Sequence, residues 1–244
     1  MSRYEIYSPE GLRVDGRRYN ELRYFKCALG THAHAADGSA MVEMGTSQVV
    51  CTVKGPQEPQ QRSSMDTKKA VLRVNVHVAP FSSITRTKHT SNEKQLQELS
   101  MNLEETFADV VLAHLAPRTE IIVDLHVLAQ DGNIMAGCVN AMCLGLIDAG
   151  VPMLDFIASV GVALADSVPL LDPNHIECSE LPNLTVGVTG KSNKASLVIA
   201  EKRILLDRIK PSLDLAIMGC KTVHDIMDEQ VRIRLNSLED RIKR

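Results

Sequence analysis

LAQDGNIMAGCVNAMCLGLIDAG, residues 128–150, is the stretch whose reading decides the fold. It leaves the apolar end of a strand at Val127-Leu128, crosses the polar turn Gln130-Asp131-Gly132-Asn133, and then becomes apolar on nearly every side. The spacing predicts a helix from about Ile134 to Asp148. Gly150 stops it and Pro152 follows, because glycine accepts the left-handed backbone that ends a helix and proline cannot continue one. A helix apolar all round is buried. Gly137, Ala141 and Gly145 share one of its faces, so another backbone can approach there. A turn that opens a buried helix presents N–H groups without intrahelical partners, which is a place for a phosphate to bind.

Working outward, Thr119 to Leu128 alternates, with Ile121, Val123, Leu125 and Val127 on one face. Ala70 to Pro80 alternates in the same way, and both read as strands. Between them a helix is expected from a cap at Ser91 or Asn92 to about Leu115. Its apolar face is Leu96, Leu99, Leu103 and Phe107, and Pro117 breaks it. Phe25–Leu29, Ala40–Glu43 and Ser47–Val53 read as strands, with a hairpin turn at Asp37-Gly38-Ser39 and an end at Gly55-Pro56. Downstream, Ile157–Ala165, Val168–Leu171, Thr185–Val188 and Ser196–Ala200 read as strands, with turns at 171–174 and 190–193. Asp207 is the expected cap of a last helix that tolerates Pro211 in its first turn. The charged tail 232–244 is expected to fray. No repeat and no linker interrupts the chain. The expectation is one α+β domain over residues 1–244, with mixed sheets around buried helices.

The composition of 244 residues, 44% hydrophobic and 23% charged, is that of a globular protein. No apolar run reaches transmembrane length, so no membrane partner is expected, and the N-terminus MSRYEIYSPEG is no signal peptide. Six cysteines without a C-x-x-C pair point to reduced core thiols of a cytosolic or nuclear protein. His32 and His34 lack carboxylate or cysteine neighbours, so no metal is assigned to them. The absence of a P-loop and of G-x-G-x-x-G speaks against a small-molecule α/β enzyme. The net charge of −3 hides an asymmetry. Residues 54–94 hold eight basic and three acidic side chains, whereas residues 95–200 hold three basic and thirteen acidic. A polyanion-facing side apart from an acidic side follows. The loop 56–69, polar and with two prolines, has the character of a functional loop.

Four segments carry a family resemblance: RVDGRRYNELR (13–23), ADGSAMVEMGTSQVVCTVKGP (36–56), LIDAGVPM (146–153) and LLDPN (170–174). In this order and spacing they resemble the RNase PH-like subunits of the RNA exosome, above all the eukaryotic counterparts of the archaeal catalytic subunit. The resemblance covers essentially the whole chain. It implies a ribosomal protein S5 domain 2-like βα fold and a ring of six such domains. Its implied partners are the other RNase PH-like ring subunits, RNA-binding cap subunits, an associated hydrolytic ribonuclease, and single-stranded RNA threaded through the pore. It also implies a place in the nucleus, including the nucleolus, and in the cytoplasm.

Active members of that family cleave RNA from its 3′ end with inorganic phosphate. Their central turn carries a Gly-Ser/Thr-Arg cradle, and the matching positions here are Asn133, Ile134 and Met135. Their two aspartates after the LDPN turn fall at Cys178 and at Leu184 or Thr185, leaving Glu177 and Glu180 as the nearby acids. The resulting expectation is no enzyme: no catalytic residue, no cofactor and no metal, but a scaffold and RNA conduit. The alternative is an active phosphate-dependent 3′→5′ exoribonuclease with a site rebuilt around Glu177 or Glu180. By the same resemblance, loop 56–69 faces the pore with Arg62, Lys68 and Lys69, and Lys94-Gln95 stands where relatives open a helix with an Arg pair. The expected RNA-binding set is Arg62, Lys68, Arg86, Lys88, Lys94 and Gln95. Arg118 is read as a structural ion-pair partner. With eight aromatics and no tryptophan, phosphate contacts rather than base stacking are expected.

Overall fold

A computed structural model describes residues 6–8, 10–59, 68–87, 93–165, 168–190 and 194–243. The central helix, α2, runs over Ile134–Asp148, and its first twelve residues after Ile134 are all buried. Asn133 caps it by accepting from the Ala136 N–H, and Gly150 follows with φ +72°. The small-residue face does admit close neighbours. A Cβ on Gly145 would lie 2.7 Å from the Cys51 sulfur, and one on Gly38 would lie 2.4 Å from the Ala149 nitrogen.

Those neighbours belong to a five-stranded sheet. Its strands are β1 (Phe25–Leu29), β2 (Gly38–Met44), β3 (Ser47–Gln57), β4 (Val71–Val78) and β5 (Glu120–Ala129), in the order β1-β2-β3-β5-β4. Only β4 and β5 run parallel, in the register Val74↔Val123, Val76↔Leu125, Val78↔Val127. A parallel pair needs a crossover, and α1 (Lys94–Ala108) supplies it, burying Leu103 and Phe107. β3 runs on through Gly55-Pro56 instead of ending there. The register shifts between Lys54 and Gln57, so Pro56 sits at an irregularity where no ladder donor is required.

The second sheet orders β6 (Ile157–Ala165), β7 (Val168–Leu171), β8 (Asn183–Thr189) and β9 (Ala195–Ala200) as β7-β6-β8-β9. Every residue of β6 is buried. β7 pairs only with Val162–Ala165, so the earlier half of that edge is open. Asn140 from α2 closes it: its amide donates to the Ser159 carbonyl at 2.9 Å and accepts from the Ser159 N–H at 2.8 Å. One hydrophobic core joins both sheets, α2 and the final helix α4 (Leu206–Ile242).

Several expectations need correction. α1 ends at Ala108, not near Leu115, because the following main chain pairs elsewhere: Leu112 donates to the Pro152 carbonyl and Leu154 to that of Val110. Its cap position is Glu93, with no side-chain cap bond, and Ser91 and Asn92 lie outside the described residues. Asp207 lies inside the first turn of α4, whose cap is Leu205. The charged tail continues α4 to Ile242, aided by i,i+4 pairs such as Arg232–Asp228. Arg118 makes no ion pair among the described residues and turns the chain at φ +62°. A short helix α3 (His175–Glu180) was not expected. It begins with a capping box in which Asn174 and Glu177 satisfy each other's N–H groups. Among the described residues no helix is long and apolar enough to cross a membrane.

Candidate RNA interface

Because β4 and β5 are parallel, both release their chains at the same end of the sheet. β5 runs into the central turn, and β4 runs into the basic segment that leads to α1. The two are tied where the Gln130 N–H donates to the Ser82 carbonyl at 2.8 Å. Arg86, Lys94 and Gln95 are exposed beyond this tie. The LDPN turn joins from the other sheet, its His175 N–H donating to Asp131 at 2.8 Å. Gly132, at φ +98°, touches it so closely that a Cβ would lie 2.2 Å from the Pro173 carbonyl oxygen.

Arg23 holds this meeting point together. Its Nη1 donates to Asp131 Oδ2 at 3.0 Å, and its Nη2 and Nε donate to the two oxygens of Asp172 at 2.8 and 3.1 Å. Asp131 also accepts from the Thr46 hydroxyl, so the β2–β3 hairpin enters the same network. Neither Asp131 nor Asp172 was singled out from the sequence as a site residue. Their carboxylates find partners on three separate segments, at Arg23, Thr46 and His175, and no local pattern marks them.

Burial works to raise the Asp131 pKa, but the bonds from Thr46 and the His175 N–H and the Arg23 charge outweigh it and hold the carboxyl below its usual 3.8. A depressed carboxylate stabilises the fold fully above its unfolded-state pKa and loses that contribution as pH falls through the folded value. We therefore expect stability from this group to be constant above about pH 5 and to decline below about pH 4. Urea midpoints at pH 5 and pH 3 should fall less for Asp131→Asn than for the wild type. Equal declines would show that the carboxylate is not held in this way.

The acids expected near the LDPN turn have other roles. Glu177 is completely buried and ion-paired with Arg13. Glu180 is exposed. Burial pushes the Cys178 thiol up to about 11, so it is neutral near pH 7. Leu184 and Thr185 are interior residues of β8, and Thr185 accepts from the Asn133 amide. Among the described residues no group of three His, Cys, Asp or Glu side chains is placed to hold a metal ion.

The remaining basic residues are not all gathered at this end. Lys68 and Lys69 precede β4, at the opposite end of the strand from Arg86 and Lys94. The eight residues of β4 put roughly 25 Å between the two groups. Arg62 and Lys88 lie outside the described residues. Three arginines of the N-terminal arm face inward: Arg13, Arg17 and Arg23 all bind the LDPN turn.

Comparison with known proteins identifies this arrangement. A model of the 3′ exoribonuclease family, domain 1, matches residues 21–152, and one of domain 2 matches residues 155–219. The chain belongs to the RNase PH family. It is 47% identical over 233 residues to the yeast Saccharomyces cerevisiae protein named exosome complex component SKI6, covering 95% of each chain. It is 33% identical over 226 residues to exosome complex component Rrp41 of Archaeoglobus fulgidus, covering 91% of this chain and 87% of that one. The crystal structure of rice Rrp46 superposes with a TM-score of 0.80 at 25% identity, covering 90% of this chain and all of that one. The RNase PH fold expected from the sequence is therefore the fold observed.

The same findings overturn the expectation that this RNase PH chain is no enzyme. Both matched family models describe 3′ exoribonucleases. The similarity to an archaeal Rrp41 runs through the segments that carry the supposed losses. Individual side-chain differences at Asn133, Ile134, Met135 and Cys178 do not by themselves show a degenerate site, and the acids at this end of the fold include Asp131 and Asp172, both bound to Arg23.

Proposed function

We propose that this chain is a core ring subunit of the RNA exosome, which scaffolds the complex and guides single-stranded RNA through the central pore. The processes served are 3′→5′ processing and degradation of rRNA, mRNA and other RNAs. The observation that carries the reading is the placement of exposed cations at both ends of one strand–helix layer, the second group beside the central turn. Similarity to exosome components over nearly the full length supports it. RNA running between the two groups is held by its phosphates, without base readout along the way. The partners are the other RNase PH-like ring subunits, RNA-binding cap subunits and an associated hydrolytic ribonuclease. The location is the nucleus, including the nucleolus, and the cytoplasm. Lys68, Arg86, Lys94 and Gln95 belong to the path on this reading, and Arg62 and Lys88 join it through the family resemblance.

The test is charge reversal in the reconstituted ring. Arg86→Glu with Lys94→Glu should weaken binding of single-stranded RNA about ten-fold or more, with a shallower salt dependence, since each lost phosphate contact removes about 0.7 from the slope. Both side chains are exposed, so thermal stability should not change. Unaltered RNA affinity would remove these residues from the path.

A second reading, phosphate-dependent 3′→5′ exoribonuclease activity, is favoured by membership of an exoribonuclease family. It is read by incubating the ring, free of any hydrolytic nuclease, with labelled RNA with and without inorganic phosphate. Nucleoside diphosphates released only with phosphate establish it. No release in either condition removes it.

A further inference from the structure

The segment leaving β4 holds an aromatic ring in the open at the lip of the site. Phe81 is 70% exposed, and Ile84, three residues on, is 87% exposed. Ser82 between them is buried, and its main chain is fixed on both sides: its N–H donates to the Ala79 carbonyl at 2.9 Å, and its carbonyl accepts from Gln130 at 2.8 Å. Phe81 thus stands one residue from a tie to the central turn, on an anchored stretch of chain.

The chain that follows Phe81 carries more cations than acids. Arg86 and Lys94 are exposed on the same segment. α1 opens with Lys94 directly after Glu93 at the cap position, which makes no side-chain cap bond, and its positive end also faces this region. The nearby Asp131 carboxylate is engaged by Arg23. An exposed aromatic face flanked by cations is the pairing that single-stranded nucleic acid requires, with charge for the phosphates and a ring for a base. An apolar protein partner would match the ring but not the charges around it.

We propose that Phe81 is a base-stacking platform that receives a base of the single-stranded RNA next to the central turn. This rests on the RNA-conduit reading above and adds a contact that the scarcity of aromatics in the sequence did not suggest. It also gives the site a sequence-tolerant grip at one point of a path that otherwise holds phosphates, since every base has a stacking face.

The experiment uses the reconstituted ring and RNA carrying 2-aminopurine at successive positions from the 3′ end. In the wild type one position should be quenched. Phe81→Ala and Phe81→Leu should abolish that quenching and weaken binding about ten-fold, while Phe81→Tyr should retain both. RNA abasic at that position should bind the wild type as weakly as intact RNA binds Phe81→Ala. Wild-type quenching and affinity in Phe81→Leu would overturn stacking, because leucine keeps the apolar bulk and lacks the ring face. Failure of Phe81→Ala to enter the ring would overturn it too, by placing the side chain at a subunit contact. If the wild-type ring binds no RNA at all, the conduit reading itself falls.

Discussion

Arg13→Ala is expected to lower the stability of the chain by about 3–5 kcal/mol. The side chains of Arg13 and Glu177 are both fully buried. The guanidinium Nε donates to Glu177 Oε1 at 2.8 Å, and Nη2 donates to Oε2. The same group donates to the main-chain carbonyls of Leu171 at 2.6 Å and Asp172 at 3.1 Å. Glu177 in turn accepts from the Asn174 N–H, closing the capping box of α3. Alanine removes the counter-charge and strands a buried carboxylate, together with two carbonyls of the LDPN turn. That loss is a large part of the 5–15 kcal/mol that usually holds a domain together. Urea unfolding should show it as a lower midpoint, and co-expression with ring partners as a lower yield of assembled complex. The double variant Arg13→Met with Glu177→Leu should be less damaged than Arg13→Ala alone, because it leaves no charge to desolvate. If the double variant is no better, packing rather than charge explains the site.

Gly132→Ala should damage the RNA interface more than any other single methyl. Two independent constraints meet at this residue. Its φ of +98° is a backbone conformation that residues with a Cβ rarely adopt. The added Cβ would also lie 2.2 Å from the Pro173 carbonyl oxygen, which is main chain and cannot swing aside like a side-chain tip. Strain of this kind costs about 1–3 kcal/mol, and relieving the overlap means parting the central turn from the LDPN turn. The network of Arg23, Asp131 and Asp172 spans that gap, so it should loosen with it. We expect a lower melting temperature and weaker RNA binding in the assembled ring. Gly150→Ala is the control. Its φ is +72°, but nothing lies within 4 Å of the added atom, so only the backbone strain should appear. Equal effects of the two substitutions would mean that the contact with Pro173 carries no weight.

Much of the architecture was legible because its signals are local. α2 has the bounds read from the sequence, Ile134–Asp148, since an unbroken apolar run between a polar turn and a glycine leaves few alternatives. β1, β6 and β7 also begin and end where the residues indicate. α3 was overlooked although its signal is local, because Asn174 and Glu177 at capping-box spacing enclose only a six-residue helix. α1 could not be bounded in the same way. Its periodicity continues past Ala108, and only pairing with residues 152–154, more than forty positions on, pulls the chain out of the helix.

The site divides along the same line. The family pattern, the buried helix, the turn that opens it and the excess of cations between residues 54 and 94 are all readable along the chain. Each of these is written in neighbouring residues. The tertiary structure alone decided that Glu177 is a buried strut, because its counter-ion lies 164 positions away. It decided that Asp131 and Asp172 share one guanidinium. It also separated Lys68 from Arg86 and Lys94 and set Phe81 out beside the central turn. Strand direction and register place these groups, and both are set by core packing across the whole chain rather than by the residues adjoining any one of them.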